Sequence, residues 1–321
     1  VFALIGTTLS QSGQAQVFEK TTVAYREIDG HPILVDVYRP PGNEIRPVIV
    51  FIHGGALILG NREQSVPEVL TLAQERRYAF VSIDYRLAPE TKLPGIVSDV
   101  EAAFQWLASD AAKRFHLDIE RMIVAGGSAG GYLTLLTGYR VSPKPKALVA
   151  LWPYGELNAD WYAKPSPHPM HNQMRVTREQ AMKQTDGTVI SDYLQRKGET
   201  GKYEGAAIYV YYRQNGLWPQ EVSGFSAGSL AEDIAPYEPV RHITRDYPPT
   251  LLIHGTEDTD VPYQESVKMA EQFERHGVPF ILRPVERAEH GLAGGDPEKI
   301  REAYQTMRQF VMRYLEPEGS E

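Results

Sequence analysis

The chain has 321 residues, 42% hydrophobic and 23% charged, with a formal charge of −8 and no cysteine. That length accommodates one α/β domain with an insertion, and no apolar run is long enough to span a membrane. Lys and Arg are scattered, which argues against nucleic acid or an anionic membrane as partner, and the lack of cysteine excludes thiolate catalysis, disulfides and cysteine–zinc sites.

Residues 1–20 read as a leader. Val1 to Leu9 is apolar and is followed by Ser10-Gln-Ser-Gly-Gln-Ala-Gln16, the back half of a secretory signal pattern with a small-residue cleavage site near Ala15. This predicts export to the periplasm or extracellular space; the alternative is an N-terminal helix on a cytoplasmic protein. Two core segments are expected, 21–155 and 241–316. Thr21 to Tyr38 alternates on either side of Asp29-Gly30, a hairpin signal. Val48 to Ile52, Ala79 to Ile83, Met122 to Ala125 and Ala147 to Leu151 are short apolar runs suited to buried parallel strands. Helices are predicted between them, over Glu68 to Arg77, over Pro94 to Leu107 with proline in the first turn, and from Ala129 onward.

Residues 156–240 break this rhythm. They are rich in Pro, Gly, Tyr and Trp with little periodicity, and are expected to form a cap or lid over the sheet's C-terminal edge. After them come a strand over Thr250 to Ile253, a helix over Tyr263 to His276 stopped by Gly277 and Pro279, and a strand over Phe280 to Leu282. The last helix is capped by Asp296, opens on Pro297 and carries apolar residues at the 3.6 period. Strands alternating with helices predict an α/β fold, a mostly parallel sheet covered on both faces.

Gly126-Gly127-Ser128-Ala129-Gly130-Gly131 fits G-x-S-x-G between a buried strand and a helix. Glycines make that turn possible, and the turn lifts the serine hydroxyl clear of the sheet. A phosphate-binding turn is the alternative, but a P-loop lysine and a G-x-G-x-x-G are both missing. His53-Gly54-Gly55-Ala56 follows another buried strand, and its small residues let backbone N–H groups approach a developing oxyanion. An ordinary turn with a structural histidine is the bland reading. In the order Ser…Asp…His, His290 is the base, reached from a loop after the last strand.

His53-Gly-Gly, Asp84-Tyr-Arg-Leu-Ala-Pro-Glu90, Gly126-Gly-Ser-Ala-Gly-Gly131, His254-Gly-Thr-Glu-Asp258 and Glu289-His290-Gly291 together resemble the hormone-sensitive-lipase-like and bacterial acyl-esterase branch of the α/β-hydrolases, which includes acetyl xylan and feruloyl esterases. The resemblance runs from about Tyr25 to Tyr314 apart from the insertion. It implies Ser128, Asp258 and His290 as catalytic triad, with Asp260 as competing acid and a solvent-facing carboxylate as its other reading. It also implies the N–H groups of Gly55, Ala56 and Ala129 as oxyanion hole. Ala56 stands where the family usually has glycine, and Gly127 where many relatives carry aspartate. Asp84 and Glu90 are expected to brace the loop beneath the site through ion pairs.

Trp152 and Tyr154 follow a sheet strand at the ligand-binding edge and are candidate substrate contacts. The other insertion aromatics, Tyr203, Tyr209, Tyr211, Tyr212, Trp218, Trp161 and Tyr162, read mainly as lid packing. His168 and His171 give only a weak metal spacing, so neither metal nor organic cofactor is expected. The function implied is a carboxylic-ester hydrolase for short to medium acyl esters, free or linked to polysaccharide, with His290 titrating near the ordinary value of about 6.5. A serine peptidase of the prolyl-oligopeptidase type and a non-catalytic binding protein on the same scaffold are the rivals.

Overall fold

The computed structural model describes residues 18–196, 207–226, 228 and 230–316. Among them are the eight strands of one sheet: β1 (Glu19–Ile28), β2 (His31–Arg39), β3 (Arg46–Ile52), β4 (Ala79–Ile83), β5 (Leu117–Gly127), β6 (Ala147–Leu151), β7 (Thr250–Gly255) and β8 (Phe280–Val285). Their order across the sheet is β1-β2-β4-β3-β5-β6-β7-β8. The signal-like segment Val1–Gln16 lies outside the described residues, whereas Glu19 and Lys20, counted with the leader, belong to β1.

Asp29 and Gly30 have φ of 50° and 79°, the doubly left-handed turn whose twist suits a two-residue hairpin, and Ile28 pairs with His31 across it. β2 is also antiparallel to β4, and the pairs from β4 through β8 are parallel. The apolar runs are buried on both sides. In β3, Val48, Val50 and Ile52 pack in one layer with the helices Leu93–Trp106, Ala129–Arg140 and Gln264–His276. Ile49 and Phe51 pack in the other, with Pro67–Arg76 and Pro297–Leu315. Each such side chain taken out of water contributes roughly 1.5–3 kcal/mol.

β5 starts five residues before the predicted Met122. Its register against β3 shifts between Pro47 and Val48, so that Leu117 and Asp118 pair first and Met122 resumes the ladder. The polar residues of that bulge hid the strand's beginning.

The insertion contains short helices, Asp160–Ala163, Arg178–Met182, Ala207–Asn215, Trp218–Ser223 and Leu230–Ile234. Each is too short to display a 3.6-residue period over several turns. No helix among the described residues is long and apolar enough to cross a membrane.

Candidate active site

Parallel strands end at one edge of the sheet, where α/β folds bind ligands. Every candidate residue stands just beyond such an end. Ser128 links β5 to the helix Ala129–Arg140 with φ 57° and ψ −122°, a conformation costing about 1–3 kcal/mol for a residue with a β-carbon. Its N–H donates to the carbonyl of Leu151 over 2.9 Å. The flanking glycines are steric requirements. A methyl group at Gly126 or Gly130 would collide with the Ile52 carbonyl oxygen on β3, and one at Gly54 would lie 2.8 Å from the Gly127 oxygen.

His290 Nε2 lies 3.0 Å from Ser128 Oγ, and His290 Nδ1 lies 2.7 Å from Asp258 Oδ2. A carboxylate only accepts, so Nδ1 carries the proton and Nε2 is free to accept from the serine hydroxyl. Asp258 Oδ1 accepts from the N–H groups of Asp260 at 3.0 Å and Val261 at 2.8 Å. Burial alone would raise the Asp258 carboxyl, but hydrogen bonds from His254 and His290 hold it below the usual carboxylate range. Burial likewise pulls His290 down, and the Asp258 hydrogen bond with the charges of Asp260 and Asp258 outweighs it. His290 therefore titrates above the ordinary value, a departure that the motifs gave no reason to expect.

The loop 53–56 lies over this turn with its carbonyls occupied. Tyr85 Oη donates to His53 O at 3.0 Å, His53 Nδ1 to Gly54 O at 2.8 Å, and Trp218 Nε1 to Ala56 O at 2.9 Å. Gly55 O accepts from Ile58 and Leu59. Left-handed φ values of 106° at Gly55 and 56° at Ala56 accompany this arrangement. No described residue accepts from the N–H of either, and the N–H of Ala129, in the first helical turn, has no intrahelical acceptor. Such unpaired donors beside a serine hydroxyl favour negative charge. Burial pushes His53 down to about 4, so the loop's histidine is neutral.

The chain has counterparts among known proteins. The family model described as BD-FAE matches residues 35–160, and that of the Prolyl oligopeptidase family matches residues 208–318. An alpha/beta hydrolase superfamily protein from Enterococcus faecalis superposes with a TM-score of 0.70 at 21% identity, over 92% of this chain and 99% of that one. The chain has the α/β-hydrolase fold. Esterase LipW from Mycobacterium marinum gives a TM-score of 0.64 at 23% identity, over 94% of this chain and 83% of that one. Non-reducing polyketide synthase Preu3 of Preussia isomera is 24% identical over 89% of this chain, which spans only 13% of the length of that relative.

Trp152 packs on the turn that carries Ser128. A methyl group on Gly127 would meet its ring at 3.1 Å, and the ring stands edge-on to His290 at 6.3 Å. Tyr154 has no exposed surface. It stacks on Tyr132 at 5.1 Å and meets Trp218 edge-on at 6.2 Å, which sets it in one aromatic cluster with a residue read as lid packing.

Asp84 and Glu90 form the expected ion pairs, with Arg62 at 2.8 Å and with Arg196 at 2.6 Å. Asp260 does not face solvent as its alternative reading supposed: it is largely covered and accepts from Tyr209 Oη at 2.9 Å. His171 is buried against Ser166, 2.8 Å away, and no described group of three or more His, Asp or Glu could hold a metal ion.

Sequence reasoning passed over His254 as the end of a strand. It is fully buried, and its Nε2 faces Asp258 Oδ2 at 3.2 Å and Val261 O at 2.9 Å, while Nδ1 meets Ser266 Oγ at 2.8 Å. The four-residue spacing within His254-Gly-Thr-Glu-Asp258 was the available signal.

Proposed function

We propose that this chain is a carboxylic-ester hydrolase working through an acyl-enzyme on Ser128. The observation that carries the reading is the continuous hydrogen-bonded path from Ser128 through His290 to Asp258. Ser128 Oγ attacks the ester carbonyl as His290 Nε2 takes its proton, and the N–H groups of Gly55, Ala56 and Ala129 receive the oxyanion. Collapse expels the alcohol, protonated by His290. A water, deprotonated by the same nitrogen, then attacks the acyl-enzyme and releases the acid. Asp258 keeps the imidazole in the productive tautomer.

The substrates in this reading are short to medium acyl esters, including acetyl or feruloyl esters on polysaccharide, met in an exported compartment. Trp152 is the substrate contact it favours, on its place beside Gly127 and His290. The esterase names of structural neighbours support the same reading. Peptidase chemistry is the second reading, favoured by the Prolyl oligopeptidase match over residues 208–318, which include Asp258 and His290.

A fluorophosphonate probe and a graded nitrophenyl ester series test this, beside a Gly-Pro nitroanilide. Labelling that vanishes in Ser128→Ala, with ester turnover, is the expected result. Folded protein that neither labels nor cleaves esters would refute it, and turnover of the anilide alone would establish the peptidase reading.

A further inference from the structure

The turn that carries Asp258 is held from two sides. From the core, His254 and the backbone N–H groups of residues 260 and 261 hold the Asp258 carboxylate. From the insertion, Arg213 Nη2 donates to the main-chain oxygen of Asp260 at 2.9 Å and lies 3.3 Å from its Oδ1. Tyr209, one turn earlier on the helix Ala207–Asn215, donates to the same Oδ1. Arg213 is itself 1% exposed, with its guanidinium 5.3 Å from the Trp161 ring centre and 4.7 Å from that of Tyr162. A buried charge in an aromatic enclosure is costly to move, and this one grips both the backbone and the carboxylate of Asp260.

We propose that Asp260 and Arg213 are positioning residues through which the insertion holds the Asp258 turn and sets the electrostatic setting of His290. This rests on the esterase reading of the same site. The grip on the Asp260 carbonyl fixes the peptide N–H groups that orient Asp258. The Asp260 carboxylate adds a second negative charge to the surroundings of the imidazole, after Asp258 itself. The charged and titratable groups around His290 are Asp258 and Asp260 from one turn, Glu289 beside it in the chain, and Arg213 and His171 from the insertion. Burial opposes the charge on His290 and Arg213 opposes it further, whereas Asp258 and Asp260 favour it. His171 is pushed down to about 4, chiefly by burial, and is neutral at working pH.

The test is Asp260→Asn, nearly isosteric, read by the acid limb of kcat/KM and by an NMR titration of the His290 ring, which needs no turnover. Both should move to lower pH by about half a unit to one unit, and kcat should fall roughly three- to tenfold with KM little changed. Arg213→Met should lower kcat similarly. A folded Asp260→Asn whose His290 titrates as in the wild type, or whose loss lies wholly in KM, overturns the proposal. Undiminished turnover in Ser128→Ala would instead refute the esterase reading and leave the NMR titration to decide this one.

Discussion

The turn that carries Ser128 and the insertion above it are positioned by different means. Around Ser128 the backbone does the positioning: Gly126, Gly130 and Gly54 sit where a single methyl group would strike main-chain atoms of neighbouring segments. In the insertion, side chains do most of it, although Gly216 sits against the Ala163 carbonyl in the same backbone-limited way. Tyr162 stacks on Trp218 at 3.9 Å, Arg213 is enclosed by rings, and Gly187, with φ 85°, has nothing within 4 Å of where its β-carbon would be. Backbone packing tolerates almost no change in shape but is indifferent to most surrounding side chains. Side-chain packing is the reverse, so substitutions should affect the two regions in opposite ways.

The largest effects belong to the site at the sheet edge. Ser128→Ala or His290→Ala should each lower kcat on the order of 10⁶-fold in a folded protein. Asp258→Asn should cost roughly 10⁴-fold, since the imidazole loses its fixed tautomer. Steady-state kinetics on a nitrophenyl ester measure all three, and a Ser128→Ala variant keeping a tenth of the activity would place the chemistry elsewhere.

Two glycines separate the regions most directly. Gly130→Ala should destabilise by about 3 kcal/mol, because a rigid carbonyl of β3 blocks the methyl group. Gly187→Ala should cost only the left-handed backbone penalty, about 1–2 kcal/mol. Urea denaturation gives both values, and equal losses would remove the distinction drawn between the regions.

The smallest effect concerns pH. In the proposed mechanism only neutral His290 accepts the serine proton, so kcat/KM should rise with pH through its titration. That titration is raised, so the midpoint should lie above about 6.5, the ordinary value. A midpoint at or below it would mean that burial outweighs the two carboxylates.

The same division explains what the sequence made legible. The G-x-S-x-G turn is a local steric problem, and Gly126 and Gly130 state its solution within five residues. Buried strands such as Ala147–Leu151 read directly, because burial on both faces leaves a continuous apolar run. The start of β5 did not, because its bulge is polar. Asp258 could be preferred over Asp260 only through a family motif. The burial of Asp260 depends on Tyr209 and Arg213, some fifty residues upstream (|i−j| of 51 and 47), and nothing in the local pattern announces partners at that separation. That Tyr154 is wholly buried beside Trp152 was illegible for a related reason: position after a strand does not say which way a ring turns.

One contact at the insertion's margin has a consequence for recombination between relatives. Arg196 and Glu90 form an ion pair with 0% and 3% exposure, and the same guanidinium reaches the Ala88 and Ile58 carbonyls. A chimaera that imports another insertion without a matching cation would leave Glu90 charged and unpaired in a dry setting, which costs about 3–5 kcal/mol. Exchanging insertions to alter specificity therefore requires moving the 88–90 segment with them, as a unit that the linear domain boundary cuts in two.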